Sequence, residues 1–325
     1  MQKGARGRSW VIDMSQLLII DSLKSFSLVP YFVNHVKVNH PDCVVLEMAH
    51  LLNEQMWNTF KRVSPDVVFV DFCNESATVL TQRVKELPKK PKIIIRLHGY
   101  ESDGQVVDGK RQTRLMDQVD WSEVSALITV SAPYYDLVKA IKPEIADRLH
   151  MISNGIDLSR FAPQTAEEMG DSTVAYAGFL HRWKGMALLR TVMASFPEKH
   201  FHIAGRYQEP MHLQTYMDSL PLKNVTYHGW VDTASFLRGK RFIISTSIAE
   251  SFGMSIAEGM ACGLTPLVHH WPGAHEIWPP ECCWKSFDEL EAILASPKDP
   301  AWCRSWIEDR YSMDNCIQKI ASLIF

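Results

Sequence analysis

Long apolar runs are absent from this 325-residue chain. None approaches the roughly 18–20 residues a helix needs to span a bilayer, which excludes an integral helical membrane protein. A charge excess of either sign is also absent: 34 Lys+Arg stand against 37 Asp+Glu, a formal net charge of −3. That excludes the strongly basic body of a dedicated nucleic-acid binder. The seven cysteines are an odd number with no CxxC spacing, pointing to a reducing compartment and mostly buried thiols. No GxG occurs, hence no GxGxxG dinucleotide fingerprint, and GxxxxGK[ST], HExxH and GxSxG are missing too. Dehydrogenase, P-loop NTPase, metalloprotease and α/β-hydrolase readings all lose their signatures. The opening MQKGARGRSWVID is basic but lacks an apolar core, so it does not read as a secretory signal.

What is present is ordinary globular composition, 46% hydrophobic and 22% charged, in a length that predicts two domains. Charge divides unevenly, net +1 over residues 1–150 and −4 over residues 151–325. Short β-rich runs alternate with helical stretches, the pattern of a parallel sheet covered by helices. Strands are expected at Leu17–Asp21, Cys43–Glu47, Val67–Asp71, Ile93–His98, Leu127–Ser131 and His150–Ser153, with helices near Tyr31–Asn39, Leu51–Val63, Ser76–Leu87 and Pro133–Ile141. VVFVDF, KIIIRLH and ALITVS are apolar on both alternating faces, as expected when helices cover both sides.

Around Asn154–Asp171 periodicity gives way to Gly, Pro and acidic residues, which reads as a linker. A second βα series follows: Thr173–Ala177, a helix near Gly185–Ala194, Phe201–Ala204, Val225–Tyr227, Phe242–Ser245, a helix near Gly253–Ala261, and Thr265–His269. The expected class is α/β, with two Rossmann-like doubly wound domains facing a cleft where ligands sit beyond strand carboxyl ends. The domains are placed at 1–153 and 154–305, with a C-terminal helix over 306–325 returning toward the first domain and a short extension over 1–13.

The strongest segment is Ser245–Glu258, STSIAESFGMSIAE, running from a strand through a loop into a helix. Glu250 falls in the loop and Glu258 about five residues into the helix, roughly 7–8 Å further along its axis. Between them the amides of Phe252, Gly253 and Met254 are the free donors of a helix N-terminus, suited to phosphate. The plainer reading makes Ser251 an N-cap and the glutamates helix electrostatics.

In this context the Glu-x7-Glu spacing resembles glycosyltransferase family 4 of the retaining, GT-B kind. The resemblance runs through IRLHGYE, LITVS, SNGIDLSRF, AYAGFLHRWKG, FHIAG, YHGWV, AESFGMSIAEGMACGLTPLV and PGAHEI. It implies a metal-independent transferase moving a sugar from a nucleotide-diphosphate sugar to an acceptor hydroxyl. By the same match Lys184 contacts donor phosphates, His98 hydrogen-bonds near the transferred sugar, and Glu250 and Glu258 take the sugar and ribose. Gly178, Ser251, Phe252, Gly253 and Met254 line the donor, and His228, Gly229, Trp230 and Val231 lie beside the nucleobase. Two departures stand out. Phe179 occupies the position of the family's arginine, leaving Arg182 as the nearest cation, and the loop Ser22–Val29 lacks a glycine pair, leaving Lys24, Ser25 and Ser27 as donors.

Those departures keep open a catalytically weakened sugar-nucleotide-binding subunit, and the nearest enzymatic alternative is a GT-B nucleotide-sugar epimerase or phosphorylase. The implied partners are the nucleotide-sugar and an acceptor that is a glycan, lipid-linked glycan, small molecule or modified DNA base. Lys89, Lys90, Lys92, Lys110, Arg111 and Arg114 form basic clusters that suit a solvated face, an anionic membrane surface or nucleic acid. No metal or other cofactor is expected. Localisation reads as cytoplasmic, with peripheral membrane contact through those clusters.

Overall fold

The apolar runs read from the sequence become the central strands of two separate sheets in the computed structural model. It describes residues 16–21, 28–102, 106–107, 110–111, 114–208 and 222–325. The expectations for residues 1–13 and for Lys24, Ser25 and Ser27 lie outside the described residues. The chain divides into two units: Met1–Ile128, Asp147–His150 and Ile317–Phe325 form one, Thr129–Ala146 and Met151–Cys316 the other.

The first sheet takes β1 (Gln16–Asp21), β2 (Val44–Met48), β3 (Val67–Asp71), β4 (Lys92–Leu97), β7 (Ala126–Thr129) and β8 (Leu149–Met151), in the order β2-β1-β3-β4-β7-β8. Between β4 and β7 lies a small antiparallel pair, β5 (Val106–Val107) and β6 (Lys110–Arg111). The pairs β1–β2, β1–β3 and β3–β4 are parallel, and β3 is buried along its length. Strand order reverses between β1 and β3, so this sheet has its ligand-prone switch at the ends of those strands. Helices α1 (Val29–Asn39), α2 (Glu54–Val63) and α3 (Glu75–Arg83) belong to this unit, and α4 (Ala132–Ile141) to the other. The helix expected from Leu51 starts at Glu54 because the Asn53 side chain accepts from the Met56 amide and caps it. The helix expected to reach Leu87 ends at Arg83 and tightens into a 3-10 turn, Val84–Glu86.

The second sheet comprises β9 (Thr173–Ala177), β10 (His200–Ala204), β11 (Val225–Gly229), β12 (Phe242–Ser245), β13 (Thr265–His269) and β14 (Cys283–Trp284). Its order is β11-β10-β9-β12-β13-β14, every neighbouring pair parallel. Numbered from its own first strand this is 3-2-1-4-5-6, the dinucleotide-fold order, with the switch between β9 and β12. The longer helices that follow are α5 (Met186–Ser195), α6 (Met254–Ala261), α7 (Phe287–Ala295), α8 (Pro300–Tyr311) and α9 (Met313–Ile324), with short helices at Thr233–Leu237 and Ala274–Ile277 between them. Gly259 lets α6 press onto β12: a Cβ there would meet the Ile243 side chain at 2.6 Å. Trp271, Trp278, Trp284 and Phe252 anchor the core of this unit.

The structure corrects two organisational expectations. The segment read as a linker is packed into the second unit, because Ile156, Phe161 and Met169 insert into its core and Gln164 is buried with them. Arg304 secures it by donating to the carbonyls of Leu158 and Phe161. The single C-terminal helix expected over 306–325 is two helices broken at Ser312, whose extended backbone bridges to Ile156. Within the first unit, Phe325 stacks on His40 at 3.6 Å.

Three side chains of the basic clusters are paired with acidic neighbours. Lys89 pairs with Asp66, Lys90 with Glu123 at 2.9 Å, and Arg114 with Asp117 at 2.8 Å. Lys92 is partly buried, which lowers its pKa. No helix among the described residues is long and apolar enough to cross a membrane.

Candidate active site

At the switch of the second sheet, two loops are stitched together. Beyond β9 the chain passes Gly178 and makes a turn, Arg182–Lys184, ending at Gly185 in the left-handed region (φ 67°). Gly185 is required there: a Cβ would stand 1.9 Å from the Thr246 carbonyl oxygen. The Thr246 hydroxyl donates to the Lys184 carbonyl at 3.0 Å, and the Ile248 amide donates to the Trp183 carbonyl at 3.0 Å. This backbone lacing brings Lys184 to Glu250 across 66 positions, where its ammonium donates to the Glu250 Oε1. The Ser247 hydroxyl donates to the same oxygen at 2.8 Å. An ammonium with three N–H donors that commits one to Glu250 still has donors to offer an anion.

The same loop leads into α6. Its N-cap is Gly253 (φ 96°), with no side-chain capping bond, so the expectation of Ser251 as a cap fails. The amides of Ile256 and Ala257 both turn to the Gly253 carbonyl. Those of Phe252, Gly253, Met254 and Ser255 donate to nothing among the described residues. Four free amides at a helix start can receive an anion. The Phe252 side chain serves a different purpose, buried against Trp278 and edge-on to Tyr311. One turn along α6, the Glu258 carboxyl has no hydrogen-bond partner among the described residues. Burial pushes its pKa up to about 7; nearby Arg160 opposes that shift and Asp232 adds to it. Arg160 and Asp232 are themselves paired at 2.8 Å.

The other expected donor residues are less uniform. Trp230 and Val231 are exposed just past β11. His228 instead lies against the sheet face, its ring 3.0 Å from the His202 Nδ1 and edge-on to Phe236. Arg182 is exposed with its guanidinium 5.6 Å from the Trp183 ring centre. Phe179 packs its ring 5.2 Å from that of Trp230, with the Arg206 guanidinium over both. Sequence reasoning passed over Arg206 and Ser247.

His98 belongs to the first unit, at the carboxyl end of β4 and beside the end of β3. Its Nε2 bonds the Asp71 Oδ1 at 2.8 Å, and the Arg96 Nη1 donates to the same oxygen at 3.1 Å. The ring stacks on Phe72 at 3.8 Å, and Phe72 carries an unusual φ of 76°. Such strained backbone persists only where surroundings over-determine it. The buried Glu101 carboxylate accepts from the His98 and Cys73 amides at 3.1–3.2 Å. Burial pushes the His98 pKa down, and Asp71 counters it. With Nε2–H donating to Asp71, the neutral ring presents Nδ1 as an acceptor. Asp71, Arg96 and Glu101 carry this geometry, and none was marked by the motif search.

Among the described residues, no group of three or more His, Cys, Asp or Glu could hold a metal ion. Lys184 in the turn after β9, Glu250 in the loop after β12, and the amides and Glu258 of α6 supply a cation, two carboxylates and a helix dipole.

Residues 171–301 match the family model described as Glycosyl transferases group 1. That stretch holds every site residue of the second unit. Anabaena Alr3699/HepE, solved in complex with UDP and glucose, is similar over 96% of this chain and 99% of that one, at TM-score 0.70 and 15% identity. The lipopolysaccharide outer core galactosyltransferase WaaB, in its apo form, is similar over 96% and 99%, at TM-score 0.71 and 14% identity. The fold is GT-B. S. aureus TarM, solved with Fondaparinux, alpha-GlcNAc-glycerol and UDP, is similar over 79% of this chain at TM-score 0.62 and 14% identity. This chain spans 55% of the TarM chain. No curated protein sequence matches it.

Proposed function

We propose that this GT-B chain is a glycosyltransferase that moves a sugar from a nucleoside-diphosphate sugar to an acceptor hydroxyl, with retention and without a metal. The observation that carries this is the Lys184–Glu250 pair beside the free amides at the start of α6. The amides and the Lys184 ammonium receive the diphosphate, and the unpartnered Glu258 accepts from ribose hydroxyls. Glu250, held by Lys184 and Ser247, accepts from hydroxyls of the transferred sugar. As the C1–O bond to the diphosphate breaks, charge builds on the leaving oxygens, where fixed cations and amides contribute most. The acceptor oxygen bonds C1 on the same face, and its proton passes to the departing phosphate. Glu250 is already engaged by a cation and a hydroxyl, so it serves better as a hydrogen-bond acceptor than as a nucleophile.

Thermal shift with a panel of nucleoside diphosphates and their sugars tests the reading: a specific stabilisation is expected, and none across the panel overturns it. With a donor in hand, Lys184→Ala and Glu250→Ala should each lower transfer about 100-fold while remaining folded. Full turnover by both would remove the assignment. Phe179 at the end of β9 favours a second reading, a sugar-nucleotide-binding subunit with weakened catalysis, which predicts donor binding with no transfer to any acceptor. Donor consumption without acceptor would instead mark an epimerase.

A further inference from the structure

Three adjacent strands of the second sheet, β9, β10 and β11, end side by side, and each is followed by a glycine with positive φ. These are Gly178 (151°), Gly205 (155°) and Gly229 (69°, the last residue of β11). The next residues are Phe179, Arg206 and Trp230: aromatic, cation, aromatic. Their backbones are locked together. The Gly178 amide donates to the Ala204 carbonyl at 3.0 Å, Leu180 to Arg206 at 2.9 Å, and Gly205 to Gly229 at 2.7 Å. A Cβ on Gly205 would stand 1.8 Å from the Gly178 carbonyl oxygen, so the first two exits are in direct contact.

On this fixed base the Arg206 guanidinium carbon lies 5.4 Å from the Phe179 ring centre and 5.0 Å from that of Trp230. Both distances fall within cation–π range. The guanidinium makes no hydrogen bond or ion pair among the described residues, leaving its planar fork of donors unspent. Trp230 is 57% exposed. An unpaired, oriented fork beside an open indole face, at strand carboxyl ends, fits a flat ring that carries acceptor atoms at its edge.

We infer that Arg206 selects the base of the donor nucleotide, with the Phe179–Trp230 pair orienting its guanidinium. The inference rests on the glycosyltransferase reading and adds a specificity residue to it. A guanidinium only donates. It therefore donates to the keto oxygen at C4 of uracil or C6 of guanine, and faces another donor where cytosine and adenine carry an amino group at the same position. The planar fork matters as much as the charge, since an ammonium does not stack on two rings in a set plane.

Isothermal titration of the full chain with UDP, GDP, CDP and ADP tests this. The wild type should bind UDP or GDP at least tenfold more tightly than CDP and ADP. Arg206→Ala should erase that preference by weakening the keto-base nucleotides alone, and Arg206→Lys should do the same, with melting temperatures unchanged. Preference for CDP or ADP, an Arg206→Ala ranking like that of the wild type, equal loss for all four, or rescue by Lys overturns the inference alone. Failure of the wild type to bind any of the four overturns the glycosyltransferase reading and this inference with it.

Discussion

Glu101 offers a test of the clamp around His98 that needs no substrate. Its carboxyl is fully buried and accepts from the His98 and Cys73 amides. Burial pushes its pKa from 4.5 up to about 7, more than the surrounding backbone donors pull it down. The folded protein therefore holds this proton more firmly than the unfolded chain. The stabilising contribution of the protonated form is present below 4.5 and is lost as pH rises toward about 7. At about 1.4 kcal/mol per unit, the loss between pH 5 and pH 8 is about 2–3 kcal/mol. Glu101→Gln keeps the length and one acceptor oxygen but does not titrate, and it resembles the protonated acid. Its stability relative to wild type should therefore rise by about 2–3 kcal/mol over the same interval, whatever constant offset the amide introduces. Burial depresses His98 in both proteins, so its titration cancels to first order in the difference. Urea unfolding of both proteins at several pH values, followed by tryptophan fluorescence, measures this. Parallel profiles, or a difference of opposite sign, would refute the account of a buried, proton-binding Glu101.

Other expectations are more direct. Gly185→Ala places a methyl against the Thr246 carbonyl at a left-handed position, and should cost at least about 3 kcal/mol in thermal or urea unfolding. Gly259→Ala, meeting Ile243, should cost about 1–3 kcal/mol by overpacking, read in the same assay. Asp71→Asn removes the counter-charge that opposes burial at His98, so the imidazole pKa should fall further, as NMR titration of its ring proton would show. Six of the seven native thiols should react slowly with DTNB and quickly in urea, since Cys43, Cys73, Cys262, Cys282, Cys303 and Cys316 are buried and unbridged while Cys283 is half-buried.

How much of this was legible in the sequence follows from the range of the forces involved. Strands such as Val67–Asp71 and Thr173–Ala177 are fixed locally, by apolar runs on both faces, and the structure places them where the pattern predicts. The linker was misjudged because Ile156, Phe161 and Met169 sit at no regular period; they are buried one at a time in irregular backbone. Lys184 and Glu250 were each visible in their motifs, but their pairing depends on Gly185 accepting the Thr246 carbonyl, a contact 61 residues away. The clamp on His98 was hidden for the same reason: Asp71 closes one strand, His98 follows the next, and only their parallel register brings them together.

Arg206 sharpens the point. Looking for a cation directly after the glycine that ends β9 finds Phe179, and the search then moves along the chain to Arg182. The parallel sheet offers a second direction, across to the neighbouring strand. There Arg206 follows its own glycine and lies over the Phe179 ring. Loss of a charged residue at one strand end is therefore no measure of the charge at that edge. The edge is built from three strands, and its chemistry depends on their lateral order, which a reading along the chain leaves open until the pairing is known.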